Sequence, residues 1–402
     1  MKARALPFAC GVAFGAVIFG ASVPGCNEPE SRVEYEPYAG PPAYPDRRSK
    51  VPPAKGVLGF VSDSGSDTVT VIDVPSNEVV AQVPVGRDPV AIDGPHHLAL
   101  GPDGRVFVAL SYPAPAILPG PHAAHASASR PGFVLALDPS DLRTVAEVQI
   151  EANPGEIVLS PDGRRLVVTH FDLTRAIDPR RSAEEQKASL MIVDPAMLQA
   201  TGSPPPTAVR LCRAPHGASI SADSRTAYVA CYADDALAIV DLDAPTAPPT
   251  LVPVGSKGPY SAVVSPSGRF VAVGNTDGRD TRLLDTQSKS MGAVSFPSPG
   301  APYFAAWSPD ESTLWIPTQA PDELVAVTVA TGAVARRHSY GAECIRPHEA
   351  QLAPDGATVY VVCEGDHVAE GAVLAVDPVS LETRASMKVG VYPDRLMFAR
   401  PR

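Results

Sequence analysis

A five-residue phrase recurs along the chain: GPDGR at Gly101, SPDGR at Ser160, SADSR at Ser221, SPSGR at Ser265, SPDES at Ser308 and APDGA at Ala353. Each copy follows an apolar stretch and precedes another rich in Val, Tyr and Phe. The marker residues Asp223, Ser267, Asp310 and Asp355 stand 44, 43 and 45 residues apart. Short strands with one tight turn per repeat of this length are the pattern of a β-propeller. Asp suits the turn because its carboxylate accepts the following backbone N–H groups, and Gly because it tolerates positive φ. Such a fold does not by itself name an activity.

In six of the seven repeats the third strand ends in Asp, at Asp73, Asp138, Asp194, Asp241, Asp285 and Asp377; one departs, with Ala326-Val327-Thr328. Six carboxylates in equivalent places invite a metal reading, but each is expected to open the turn between strands three and four. The ends of the chain complete the count. VLGFVSDSGSDTVTVIDVPSNEVVAQVPVG, from Val57 to Gly86, supplies strands two to four without a first. PDRLMFA, from Pro393 to Ala399, supplies a first strand without the rest. The expected fold is therefore all-β, with seven blades of four antiparallel strands. The C-terminal strand completes the N-terminal blade and removes an open edge.

VTVIDVPSNEVVAQVPVG, then a Pro, an apolar strand, SPDGR and a Val/Tyr-rich strand, resembles the YVTN-type seven-bladed propellers of exported bacterial proteins. The resemblance covers residues 57–399. It implies a propeller whose relatives include lactonase-like enzymes, surface proteins and modules beside redox proteins. The chain has no Cys-x-x-Cys-His haem motif, no Gly-x-Ser-x-Gly elbow and no phosphate-cradling glycine loop.

Three regions are expected. Residues 1–26 read as a lipoprotein-type signal: Lys2 and Arg4, an apolar stretch, then Val-Pro-Gly before Cys26, the residue to be lipidated. Residues 27–55 carry too many prolines and charges for a core and read as a tether. Residues 56–402 form the propeller. The signal implies export to the periplasm or the cell surface, with the membrane as partner through a lipid anchor. With 33 Lys+Arg against 44 Asp+Glu and no basic stripe, nucleic acid is not an expected partner.

The loops leading into strand one and those joining strands two and three share one face of a propeller. Eight of the nine histidines map to or beside that face; His338 does not. His96, His97, His216 and His348 stand just before strand one, and His170 ends a second strand. His122, His125 and His367 fall in loops between strands two and three. Tyr260 and Tyr303 take the place of the Pro-His residues in two blades, and Asn153 and Glu156 flank it in another. This set could hold a transition-metal ion, form a funnel for a small organic ligand, or close the channel by packing. Cys212 and Cys231 stand 19 residues apart, as do Cys344 and Cys363. In an exported chain both pairs read as disulfides, with Cys/His metal ligation as the alternative. Long insertions, Ser111–Gly132 and His170–Ser189, project from the same face. Asn275–Asp280 has a calcium-like alternation of oxygens without the distal Glu of an EF-hand loop.

Three functions fit this reading. The first is a tethered propeller binding a small ligand or protein partner on the histidine-rich face. The second is a metal-dependent or lactonase-like hydrolase with its site at the channel mouth. The third is a docking module for a redox protein.

Overall fold

The computed structural model describes residues 50–52, 56–88, 90–113 and 128–399. The signal, Cys26, most of the tether, His122 and His125 lie outside the described residues. No helix among the described residues is long and apolar enough to cross a membrane.

Seven antiparallel sheets are present, as the repeats imply. Blade 1 is composite: Pro393–Ala399 pairs with Leu58–Asp63, followed by Thr68–Asp73 and Glu78–Pro84. In the closing pair Leu396 stands opposite Val61 and Ala399 opposite Leu58. The inner strands of blades 2 to 5 are Pro95–Leu100, Pro154–Leu159, Pro215–Ile220 and Pro259–Val264. That of blade 7 is Pro347–Leu352. Blade 6 departs: its inner strand is split into Ala301–Pro302 and Ala306–Trp307. Between the halves Phe304 crosses to blade 7, where its N–H donates to His348 O and its carbonyl accepts from Ala350 N–H.

The recurrent phrase has a common geometry. Its fourth residue is left-handed in every copy: Gly104, Gly163, Ser224, Gly268, Glu311 and Gly356. At Ser160 the hydroxyl donates to Asp162 at 2.6 Å and accepts from Arg165 N–H at 2.9 Å. Ser221 and Ser308 repeat this pattern. The Asp residues ending strand three accept backbone N–H groups two or three residues on, at Asp138, Asp194, Asp241, Asp285 and Asp377 among others. The turn reading of those carboxylates therefore holds.

Blades are joined by side chains as well as by apolar packing. Asp67, Asp235 and Asp322 each accept backbone N–H from the loop leading into the next blade, at Gly94, Gly258 and Arg346. Cys212–Cys231 and Cys344–Cys363 are disulfides, each tying the approach to an inner strand to the end of the second strand. At Asn275–Asp280 the Asp280 carboxylate accepts from Asn275, Ser256, Arg282 and Ser295. That segment is a hydrogen-bonded hairpin connection, which replaces the calcium-like reading.

Close approach of neighbouring strands requires glycine at Gly217. A Cβ there would lie 2.6 Å from Ser261 Cα and 2.6 Å from Tyr260 O, both backbone atoms that cannot swing aside. Gly217→Ala is expected to destabilise the fold by about 1–3 kcal/mol, the usual cost of overpacking. Thermal melting checks this; an unchanged midpoint would contradict the packing.

Candidate functional site

Six blades begin the inner strand with proline, at Pro95, Pro154, Pro215, Pro259, Pro347 and Pro393, and blade 6 has Pro302 as its second residue. In six of the seven the residue before it is left-handed: Gly94, Asn153, Ala214, Gly258, Arg346 and Tyr392. The register then slips just after the proline in blades 2, 3, 4, 5 and 7. A slip of this kind leaves an unpaired residue and re-aims side chains. It explains how two successive positions can both face the axis, where strict alternation would allow one.

The first position after each proline is His96, Gly155, His216, Tyr260, Tyr303, His348 and Asp394. The second is His97, Glu156, Gly217, Ser261, Phe304, Glu349 and Arg395. These side chains form one buried cluster. His96 and His97 have ring centroids 4.3 Å apart, and His216 stacks on Tyr260 at 3.8 Å. His97 meets His216 at 5.9 Å, His348 at 6.0 Å and Phe304 at 5.4 Å. Tyr260 and Tyr303 are 5.2 Å apart, and Tyr303 and His348 also 5.2 Å. Hydroxyls of one blade hold the ring residues of the next: Ser62 donates to His96 O, Thr169 to His216 O and Ser261 to Tyr303 O.

Charge sits beneath the rings. Arg395 lies 2.9 Å from Glu349 and 3.6 Å from Glu156. Glu349 also accepts the Leu396 N–H at 2.7 Å. Glu156 Oε1 and His97 Nδ1 are 3.0 Å apart and share a proton. Burial pushes the Glu156 carboxyl up to about 8 against the opposing pull of Arg395. Glu349 is raised for the same reason. Burial takes His96 down to about 3 and His97 well below its ordinary value. The imidazoles are therefore neutral at pH 7. Ser64 donates to Asp394, which lies 3.3 Å from His96 Nδ1. The carboxylate thus stands between hydroxyl and imidazole. A nucleophilic triad needs the imidazole in the middle.

Six of the seven residues singled out from sequence come together: His96, His97, His216, His348, Tyr260 and Tyr303. His170 does not join their rings. It is buried within blade 3, where its Nδ1–H donates to Ser189 O at 2.9 Å beside Glu151. The rings pack against one another, stacked at His216–Tyr260 and edge to face at His97–His216 and Tyr260–Tyr303, instead of opening as a funnel. Among the described residues no group of three or more His, Cys, Asp or Glu side chains is disposed to hold a metal ion.

Space for a ligand lies beside the cluster. A recess of about 400 Å³ is lined by Thr276, Asp277, Arg279, Ala301, Tyr303, Gln319 and Ala320. These residues belong to the histidine-face loops of blades 5 and 6, and Tyr303 is shared with the ring cluster. Arg279 and Asp277 are exposed, and Asp277 accepts from Tyr232 OH at 2.9 Å. Gln319 donates to the buried Glu364, whose other oxygen lies 2.7 Å from His367 Nε2. Two other recesses, of about 370 and 380 Å³, lie toward the turn face. The first is bordered by Pro204, Pro205 and Pro206. The second is largely apolar around Trp307. Sequence reading passed over Arg279, Gln319, Glu364, Asp394 and Arg395. The last two carried a usable signal, since PDR repeats the proline-first pattern of PHH, PGE, PHG, PYS, PYF and PHE.

No family model and no curated protein matches the chain. Solved structures do match, at identities that speak to the fold alone. A candidate 6-phosphogluconolactonase from Bacteroides uniformis is 15% identical with a TM-score of 0.63, covering 86% of this chain and 99% of its own. The periplasmic gluconolactonase of Pseudomonas aeruginosa is 18% identical with a TM-score of 0.63, covering 86% and 100%. The dihydro-heme d1 dehydrogenase NirN is 20% identical with a TM-score of 0.55, covering 91% and 79%. The chain is a seven-bladed β-propeller with lactonase-like structural neighbours.

Proposed function

We propose that this chain is an exported propeller that binds a small polyhydroxylated acid, or its lactone, in the recess over Tyr303. One observation carries the reading. The recess combines an exposed guanidinium, Arg279, with Asp277, Thr276 and Gln319 around the buried Tyr303 ring. A cation suits a carboxylate or polarised carbonyl, the other polar groups suit hydroxyls, and the ring offers an apolar floor. The two disulfides agree with an oxidising compartment. Lipidation of Cys26 would hold the domain at a membrane, leaving the recess open to solutes; release of Cys26→Ser into the soluble fraction checks that anchor.

Titration calorimetry with gluconate and glucono-1,5-lactone tests the binding. Arg279→Gln is expected to weaken gluconate 10- to 100-fold, the loss of one charge-assisted hydrogen bond. Arg336→Ala, on the exposed outer strand of blade 6, is expected to change nothing. Absence of binding, or binding indifferent to Arg279, rejects the site. Lactone hydrolysis at the same recess is the second reading, favoured by the gluconolactonase and 6-phosphogluconolactonase names of two structural neighbours.

A further inference from the structure

We propose that Asp277 makes the recess over Tyr303 selective for sugar acids with a single negative charge and turns away diacids and phosphorylated acids; the inference rests on the recess being the ligand site. Among the described residues that line the recess there is one cation, Arg279, and one anion, Asp277. They stand two positions apart on one hairpin connection, and both are exposed. Arg279 makes no ion pair with a described residue, so its guanidinium can meet a ligand carboxylate. Once that carboxylate is seated, the rest of the ligand shares a small volume with Asp277.

The carboxylate is held in place. Tyr232 donates its hydroxyl hydrogen to Asp277 Oδ2 at 2.9 Å. Burial, and then Asp277 itself, push the Tyr232 hydroxyl far up, so it keeps that hydrogen. The connection is pinned on both sides of Asp277. Thr276 donates to Gly258 O through its N–H at 2.9 Å and its hydroxyl at 3.2 Å, and Gly278 N–H donates to Lys257 O at 2.9 Å. Gly258 is left-handed, at φ 61. A Cβ there would lie 2.8 Å from Asp277 Oδ2 and 3.0 Å from Tyr232 Cε2, so the glycine makes room for the pair. Lys257, on the pinning loop, pairs with Asp235 and leaves the Asp277 charge in place.

The selection follows from what a carboxylate can do. It only accepts hydrogen bonds, and with Tyr232 on Oδ2 it still has Oδ1 to accept from ligand hydroxyls. Sugar hydroxyls supply such donors and carry no charge. A second carboxylate brings acceptors only, and a phosphate ester brings nearly two more negative charges. Either would set like charges together in a recess of about 400 Å³ whose lining offers no second cation among the described residues. Repulsion of this kind discriminates between ligands that share their attractive contacts. Arg279 therefore holds the acid end of the ligand, and Asp277 requires the other end to be neutral and hydroxylated.

The test is titration calorimetry on the full chain with gluconate, with glucarate as the diacid of the same skeleton, and with 6-phosphogluconate. Wild type is expected to bind gluconate at least tenfold more tightly than either of the others. Asp277→Asn keeps the size of the side chain and an acceptor for Tyr232 but removes the charge. It is expected to narrow both gaps to threefold or less, chiefly by tightening the two more highly charged acids. Added salt should narrow the gaps in wild type and change them little in the variant, since it screens the charge that the variant lacks. Asp277 is exposed, so the melting midpoint of the variant should match wild type. Wild type binding glucarate or 6-phosphogluconate as tightly as gluconate overturns the inference. So does an Asp277→Asn chain that discriminates as before, even if all three ligands weaken together, because the residue would then shape the recess without selecting by charge. Both outcomes leave the recess standing where Arg279→Gln still weakens gluconate. Failure of wild type to bind gluconate overturns the recess and the inference with it.

Discussion

Arg395→Leu is expected to destabilise the propeller by about 3–5 kcal/mol, the cost of leaving buried charge without its counter-charge. The guanidinium is 15% exposed and stands between Glu349 at 2.9 Å and Glu156 at 3.6 Å. Both carboxyls are 1% exposed or less. Burial already keeps Glu156 protonated at neutral pH, so removing the cation acts chiefly on Glu349, which must protonate or recruit water. Combining Arg395→Leu with Glu349→Gln should recover part of the loss, because no full negative charge then remains opposite the gap. Denaturant unfolding of the two variants checks this. Equal stability of wild type and Arg395→Leu would show that the buried pair contributes nothing.

The same groups set the direction of pH dependence. Glu156 titrates near 8 in the folded chain and near 4.5 when unfolded. The folded state keeps a proton that the unfolded state has lost, so stability falls as pH rises from about 4.5 to 8. Asp63, raised to about 7 by burial, acts in the same sense. The buried imidazoles act oppositely. His96 titrates near 3 folded and 6.5 unfolded, so its contribution grows as pH rises through that window and is complete above 6.5. His97 and His170 are lowered by burial as well. Asp67, Asp93, Asp172 and Glu349 are raised by burial as well, so the histidines and the carboxyls oppose each other below pH 6.5. Above it the histidine contributions are complete, and stability declines toward pH 8 by at most about 1.4 kcal/mol per unit for each carboxyl that still holds its proton. Glu156→Gln should remove its share of that decline. The groups facing Glu156 are His97, Arg395 and Glu349, so the variant leaves a neutral amide beside an intact Arg395–Glu349 pair.

The propeller was legible in sequence because its turns are chemically demanding. Only a small set of residues serves a left-handed fourth position, and the copies use Gly four times, with Ser224 and Glu311 as the exceptions. The Ser–Asp hydrogen bonds then repeat with the phrase. Most of the ring cluster was legible for a related reason: the Pro-His residues recur at one place in the blade. The funnel was not, because the register slip after the proline in blades 2, 3, 4, 5 and 7 turns two successive side chains inward and fills the space. Phe304 was out of reach as well, since it enters the cluster by leaving its own blade and pairing with blade 7. His170 has the right sequence position, but a carbonyl of its own blade captures its ring. The recess depends on loop geometry, and no periodicity announces Arg279 or the Glu364–His367 pair.

Ending the chain after Tyr392 is expected to abolish cooperative folding. Blade 1 would lose its inner strand, and the Leu58–Asp63 strand would become an open edge of buried residues facing the axis. Several interactions would be lost together. Leu396 is fully buried against Val61 and Ile72, and loss of such a side chain alone costs about 2–5 kcal/mol. Loss of Arg395 would leave Glu349 without its counter-charge. His348 Nδ1–H would lose Asp394 O, its partner at 2.8 Å, and Ser64 would lose the Asp394 carboxylate. The sum matches or exceeds the 5–15 kcal/mol by which domains are ordinarily stable. Loss of the near-ultraviolet circular dichroism signal and of a sharp melting transition is the expected outcome. Deleting only residues 400–402 is the control, since it leaves Pro393–Ala399 in place. A truncated chain melting within a few degrees of the full one would show that six closed blades hold without the seventh. The ring cluster would then have to stand without Asp394 and Arg395.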